Sequence, residues 1–119
     1  MKPEPTYFTT ESRGDVLVVH FSPGIHLTGA VAQSVGDQLS LLVEERGCRF
    51  LLLNLANVGS VTSLIIGKLI SVHKKLLGLS GRAAFCEVPP VILEILDLLR
   101  LTTMITVFAT EAEALESMK

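Results

Sequence analysis

The sequence contains few aromatic residues and almost no excess of charge of either sign. Among its 119 residues there is no tryptophan and one tyrosine, and ten basic residues face twelve acidic ones, for a formal net charge of -2. A surface on which bases or sugars stack needs several aromatic rings. A nucleic-acid-binding domain also needs a basic field. The composition therefore argues against a nucleic-acid partner.

Cysteine is also scarce, and no long hydrophobic run is present. Cys48 and Cys86 are the two cysteines, too few for the disulfide framework of a small secreted domain. His20, His26 and His73 lie far apart and lack metal-ligand spacing. No apolar run reaches the roughly 20 residues that span a bilayer, and the first residues lack the apolar core of a signal peptide. We expect reduced thiols, a cytoplasmic location, no membrane insertion and no metal.

Sequence patterns of catalysis are missing as well. The chain has neither a GxGxxG nor a GxxxxGK[ST] phosphate-binding loop. The loop that follows the most apolar strand has no carboxylate pair nearby in the sequence, and Asn54 and Asn57 cannot act as a general base at neutral pH. We therefore predict that the protein is not an enzyme and holds no cofactor.

Hydrophobic residues are plentiful, at 49% of the chain, so one domain with a sizeable core is expected. Residues 1–5, with two prolines, are predicted to be a flexible lead-in, and residues 6–119 one domain. β-rich runs and helical stripes follow in the order ββαβαβαβα, which predicts an α/β fold with a mixed, mostly parallel sheet. The predicted elements are strands at 7–10, 15–21, 50–55, 82–86 and 104–108, and helices at 29–46, 62–77, from 88 onward, and 111–118.

Hydroxyl residues precede two of the predicted helices. Thr28 is expected to cap the first helix with its hydroxyl group, and Gly47 to end it. The sequence Thr110-Glu-Ala-Glu113 predicts a capping box at the start of the last helix.

The segment 56–61 is predicted to be a loop between a buried strand and the second helix. In open α/β sheets this carboxyl edge is where ligands and partners bind, and a helix N-terminus favours an anion. The second helix has more apolar positions than one buried stripe needs, so Leu64 or Ile65 could be exposed as part of a protein-docking surface. Burial of both under neighbouring helices is equally compatible with the pattern. Ser60, Thr62 and Ser63 could likewise be only turn and capping residues.

The order and spacing of these segments resemble the STAS domain, the family of the bacterial anti-sigma factor antagonists. The similarity runs from about Thr6 to Met118. Family members have a buried strand, then a loop and helix of the form Asp-Ser-Ser-Gly-Leu-Gly. The matching segments here are 51–58, 62–67, 81–91 and 98–115.

The resemblance implies a non-catalytic interaction module of bacterial transcription regulation, which binds a kinase-like anti-sigma factor. Aligned by Gly67, Ser63 occupies the position of the serine that is phosphorylated in the family, and phosphate there breaks the complex. A phosphate adds about -1.5 to -2 charge to a surface that otherwise docks neutral groups. The candidate docking residues are Gly59, Ser60, Thr62, Ser63, Leu64, Ile65, Gly67 and Lys68.

The motif departs from the family pattern at several positions. Thr62 replaces an acid, Leu64 and Ile65 replace small residues, Asn54 replaces an aspartate, and residues 25–28 contain no carboxylate. Two alternatives therefore stay open. One is an unphosphorylated STAS subunit or scaffold of a transport or stress-signalling assembly. The other is a small-molecule or nucleotide-binding domain at the start of the second helix. The sequence does not indicate an oligomeric state.

Overall fold

The computed structural model describes residues 7–118, so the predicted lead-in over residues 1–5 lies outside the described residues. The described part contains seven strands, four α-helices and one short 3-10 helix. The strands are β1 Phe8–Arg13, β2 Val16–Phe21, β3 Ile25–Leu27, β4 Phe50–Asn54, β5 Val58–Val61, β6 Arg82–Cys86 and β7 Thr106–Phe108. The helices are α1 Gly29–Arg46, α2 Ser63–Gly78, α3 Pro90–Leu98, the 3-10 helix Leu101–Thr103 and α4 Glu111–Ser117.

Five strands form the main sheet, in the order β1-β2-β4-β6-β7. The first pair is an antiparallel hairpin whose two-residue turn begins with Gly14, at a φ of +62°. The other neighbouring strands are all parallel. The predicted α/β fold with a mixed, mostly parallel sheet is confirmed.

A second, two-stranded sheet was not expected from the sequence. β3 and β5 pair in parallel, and Leu27 faces Val61 at its end. The prediction of a loop over the whole of 56–61 is therefore wrong from Val58 onward. Strands of three and four residues are too short to show an alternating pattern. Their pairing also joins segments that are far apart in the chain. Because β3 leads into α1 and β5 into α2, the two helices begin side by side.

The main sheet is covered on both faces, as the apolar pattern of β2 predicts. Val16, Leu17, Val18 and Val19 are all 4% exposed or less. The larger core lies on the side of α1, α2 and α3, and alternate residues of the strands point into it. On the other face a smaller cluster packs beneath α4.

The helix ends agree with the sequence in two of three cases. Gly47 ends α1 in the left-handed conformation, and its N–H donates to the Val43 carbonyl at 3.1 Å. The Thr110 hydroxyl accepts the Glu113 N–H at 3.1 Å. Thr28 is the N-cap residue of α1, as predicted, but its side chain makes no capping hydrogen bond. The predicted capping by its hydroxyl group is therefore wrong. None of the helices within residues 7–118 has the length and hydropathy to cross a membrane.

Candidate docking site at the start of the second helix

The start of α2 is tied to the end of β3 by the side chain of its N-cap residue. Thr62 donates a hydrogen bond from its hydroxyl group to the Leu27 carbonyl at 3.0 Å. The hydroxyl makes no capping bond to the helix. This hydrogen bond therefore fixes the start of α2 against the end of β3. The half-buried side chain of Thr62 thus has a structural role in the candidate site.

Gly59 and Ser60 pack against a histidine that the sequence analysis treated only as an isolated residue. Nδ1 of His26 lies 2.8 Å from the Ser60 hydroxyl oxygen. A Cβ atom at position 59 would approach Cε1 of His26 to 2.7 Å, so a larger residue there would displace the ring from this position. The Ser60 hydroxyl is thus engaged within the fold. No local signal shows this pair, because the two residues are 34 positions apart.

Ser63 is the first residue of α2 and is exposed. Its hydroxyl group has no hydrogen-bond partner among residues 7–118. The first turn of α2 contains no acidic residue. A negative group on this hydroxyl would lie at the positive end of the helix dipole and meet no like charge in that turn.

The next two residues have opposite environments. The Leu64 side chain is 42% exposed, whereas Ile65 is 0% exposed and belongs to the core. Successive helical residues are rotated by about 100°. This rotation turns Ile65 toward the sheet and leaves Ser63, Leu64 and Gly67 outside. The inclusion of Ile65 among the candidate docking residues is therefore wrong, because no atom of its side chain reaches the surface.

Lys68 connects the two neighbouring helices. Its ammonium group lies 2.9 Å from an Asp37 carboxylate oxygen, and its hydrogen bond holds the pKa of Asp37 below its ordinary value, with a smaller effect from Gln33. The aliphatic part of Lys68 crosses Gly36, where a Cβ atom would lie 2.0 Å from its Cδ. Lys68 therefore fixes α2 against α1 and borders the site.

A polar cluster lies where β2 and β4 end. Glu111 Oε1 accepts a hydrogen bond from Asn54 Nδ2 at 3.0 Å and lies 2.6 Å from Nε2 of His20. The Asn54 side-chain oxygen also accepts the Ala56 N–H at 3.0 Å. The Glu111 N–H in turn donates to the Glu87 carboxylate at 2.8 Å.

The sequence has no carboxylate pair near this loop, and the structure places Glu111 and Glu87 together beside the end of β4. Glu87 and Glu111 come from distant parts of the chain. One feature of the sequence pointed toward this cluster: polar His20 and Asn54 lie at or next to the ends of two apolar strands, which are neighbours in the sheet and pair these two residues.

The cluster changes the ionisation of a half-buried carboxyl group, Glu111, and of a buried thiol, Cys86. Burial alone would raise the pKa of Glu111, but the hydrogen bonds from Asn54 and His20 outweigh it, so the pKa is held below its ordinary value. Burial raises the pKa of the Cys86 thiol to about 12, with smaller contributions from the charges of Glu111 and Glu87. Cys86 is therefore a neutral core residue at physiological pH. Within residues 7–118, no three histidine, cysteine or acidic side chains are placed to hold a metal ion.

These features define an α/β domain with a hairpin-led, mostly parallel sheet and an exposed serine and leucine at the start of its second helix. The STAS domain model matches residues 7–114. The chain therefore belongs to the STAS domain family, and the resemblance inferred from the sequence is confirmed.

Solved structures have the same fold over nearly the whole chain. A STAS domain protein from Planctomyces limnophilus, described as an anti-sigma-factor antagonist, is 22% identical, with a TM-score of 0.83, over 94% of this chain and 97% of that one. An anti-sigma factor antagonist from Mycobacterium paratuberculosis is 19% identical, with a TM-score of 0.81, over 93% and 92% of the two chains. The anti-sigma factor antagonist SpoIIAA of Bacillus, in its unphosphorylated form, is 16% identical, with a TM-score of 0.78, over 92% and 94%.

Proposed function

We propose that this protein is a non-catalytic interaction module that binds a kinase-like anti-sigma factor and so regulates transcription in the bacterial cytoplasm. The domain would comprise residues 6–119. The docking surface would consist of Gly59, Ser60, Ser63, Leu64 and Gly67, held in place by Thr62 and Lys68. One observation supports this surface above others: an exposed serine hydroxyl without a partner in the described chain stands beside a 42% exposed leucine.

Phosphorylation of Ser63 would act on the interface rather than on the fold. The phosphate would carry about -1.5 to -2 charge at the first position of α2, where the helix dipole favours it. The helix would therefore remain folded. A partner that packs an apolar group on Leu64 would have to desolvate that charge, so the complex would weaken. SpoIIAA, which has this fold, has been solved in unphosphorylated and phosphorylated forms.

The surface is tested by titration of the protein with the purified kinase-like anti-sigma factor of its own organism. We expect Ser63→Glu and Leu64→Lys each to weaken binding about tenfold or more, equivalent to about 1.4 kcal/mol. Ser12→Glu, on the exposed hairpin, and Leu77→Lys, at a 54% exposed position near the end of α2, are matched controls and should bind as the parent does. Parent-like binding by both test variants would exclude this surface.

A second candidate is an unphosphorylated STAS scaffold of a transport or stress-signalling assembly. It is favoured by the exposed, branched side chain of Leu64 beside Ser63. This side chain leaves less space for a nucleotide-bearing partner to reach the Ser63 hydroxyl group. Incubation with the anti-sigma factor and ATP, followed by intact mass measurement, separates the two candidates. One added phosphate that is absent from Ser63→Ala supports the switch. An unchanged mass supports the scaffold.

A further inference from the structure

β1 lies at one edge of the main sheet, and its outer side is unpaired within residues 7–118. Proteins commonly protect such an edge with a short strand, a bulge, a proline or charged side chains. β1 pairs with β2 over six residues, Phe8–Arg13, without a bulge, and this segment contains no proline. Its two charged side chains, Glu11 and Arg13, neutralise each other at 3.0 Å. The edge is therefore open to another strand.

Alternate residues of β1 direct their backbone groups away from β2. The Tyr7 carbonyl accepts the Ser22 N–H at 2.9 Å. In an antiparallel pair, residues that exchange hydrogen bonds alternate with residues that do not. Tyr7 belongs to the bonded set, and so do the odd-numbered residues of β1. The even-numbered residues, Phe8, Thr10 and Ser12, therefore each present one donor and one acceptor to the open edge.

The side chains of these three residues face the side of the sheet that α1 covers. Their partners on β2 are Leu17, Val19 and Phe21, which belong to the larger core. Directly opposite residues of an antiparallel pair lie on the same face of a sheet. A twofold axis perpendicular to the sheet therefore pairs even-numbered residues of one copy with even-numbered residues of the other. These are the residues whose backbone groups are unpaired, so the edge is self-complementary.

Hydrogen bonding and charge select one register for such a pair. Only an axis at Thr10 pairs all three outward-facing residues with one another: Phe8 meets Ser12 of the second copy, and Thr10 meets Thr10. The ladder then contains about six hydrogen bonds. On the other face Thr9 meets Glu11 of the second copy, so no like charges lie directly opposite. An axis at Glu11 would pair fewer backbone groups and would place two carboxylates opposite each other, which is unfavourable.

Apolar surface beside this edge adds to the interface. A groove of about 510 Å³ lies between β1 and α1, and its lining includes Phe8, Thr10, Leu41 and Leu42. Leu41 is 49% exposed. Because the axis is perpendicular to the sheet, α1 of both copies lies on the same face. Pairing therefore brings the exposed part of Leu41 in each copy toward the interface.

We propose that β1 is a dimerisation edge, at which a second copy of this chain joins the two five-stranded sheets into one, with the twofold axis at Thr10. The interface uses none of the residues of the candidate docking surface, and the dimer does not rest on the proposed function. One pair of short strands is a small interface, so we expect a dissociation constant of about 10–100 µM.

Sedimentation equilibrium of the full chain at increasing concentration measures the dimer. The average mass should rise toward twice that of one chain. Thr10→Lys places two ammonium groups opposite each other at the axis and should raise the dissociation constant about fivefold or more. Thr9→Lys is the matched control, because it makes the same change one residue away. Its ammonium group would face Glu11 of the second copy, so it should dimerise at least as well as the parent.

Disulfide cross-linking measures the register directly. The Cα atoms of a hydrogen-bonded antiparallel pair are about 5.5 Å apart, within the range that a disulfide bridges. Thr10→Cys in a Cys48→Ala background should therefore cross-link two chains on oxidation. Two Ser12→Cys residues would lie about 14 Å apart across the axis and should not. The remaining thiol, Cys86, is 0% exposed.

Three outcomes would overturn the dimerisation edge. A parent protein that stays monomeric at about 1 mM would exclude a second copy as the occupant. Unchanged dimerisation by Thr10→Lys, or equal cross-linking at positions 10 and 12, would show that the copies meet elsewhere. Equal weakening by Thr9→Lys and Thr10→Lys would contradict the axis at Thr10.

Discussion

At the scale of single residues, Asn54 shows how one departure from the family pattern is compensated. Its amide nitrogen donates to Glu111, and its oxygen accepts the Ala56 N–H. An aspartate, which the resemblance implies at this position, could accept but not donate. It would also bring a second carboxylate to Glu111. The asparagine therefore supplies the hydrogen-bond donor that the Glu111 carboxylate, 57 positions away in the chain, can accept.

We expect Asn54→Asp to lower the free energy of unfolding by about 1–3 kcal/mol at pH 7. The physical reasons are a lost hydrogen bond and the repulsion between two carboxylates. Urea denaturation followed by circular dichroism measures the change.

The matched test of this explanation is a double-mutant cycle with Glu111→Gln. The neutral amide should recover most of the loss caused by Asn54→Asp. If the two changes are simply additive, the repulsion is not the cause.

At the scale of elements, α2 carries both the candidate docking surface and a large part of the core. One face of the helix contributes Ile65, Ile66, Leu69, Val72 and Leu76 to the core. The opposite face presents Ser63 and Leu64 to solvent. The apolar content of the helix is explained by these two uses together. Its sequence shows an excess of apolar residues, but the orientation of the helix on the sheet decides which of them is exposed.

Adjacent substitutions in α2 should therefore have very different effects on stability. We expect Leu64→Lys to change the free energy of unfolding by no more than about 0.5 kcal/mol. Ile65→Lys should lower it by about 3 kcal/mol or more or prevent folding, because it would bury an unpaired ammonium group. Thermal and urea unfolding of the two variants measure the difference. Similar losses in both would contradict the outward orientation of Leu64.

At the scale of the whole molecule, His73 joins α2 to the central sheet. It is 4% exposed, and its Nδ1 accepts the Ala83 N–H at 3.1 Å. Burial lowers the pKa of His73, and a hydrogen bond with the backbone of Met104 acts in the opposite direction with less effect. The folded protein thus favours the neutral imidazole, whereas the unfolded chain takes up a proton near pH 6.5.

We expect His73 to make the whole domain less stable in mild acid. Its contribution to the free energy of unfolding is complete above about pH 6.5 and is lost as the pH falls toward its lowered native pKa, because the unfolded state binds more protons. His73→Gln keeps an acceptor for the Ala83 N–H and should reduce the slope of stability between pH 7.5 and 5. Urea titrations at each pH measure that slope. His26→Gln is the control and should keep it; an equal slope in His73→Gln would contradict the assignment.

Local patterns were sufficient to predict most of the elements. The spacing of Val31, Val35, Leu39 and Leu42 predicts α1, and the run from Phe50 predicts β4. These patterns succeed because burial of one helix face, or of both strand faces, is recorded in consecutive residues. The short β3 and β5 were missed because each becomes a strand only by pairing with the other.

The candidate site was predicted only in part, for the same reason. The sequence located the start of α2 and the serine at position 63, since both follow from a helix boundary. It could not show that His26 holds Ser60, or that Lys68 is paired with Asp37. These contacts link residues more than 30 positions apart.

The sequence alone thus determined the class of fold, the order of the main elements and the family resemblance, because hydrophobic periodicity and turn residues act over a few neighbouring positions. The tertiary structure alone decided that Leu64 is exposed while Ile65 is buried, and that Glu111 meets His20 and Asn54. Such outcomes depend on the rotation of a helix on the sheet and on which distant segments of the chain become neighbours. No short stretch of residues specifies either of these.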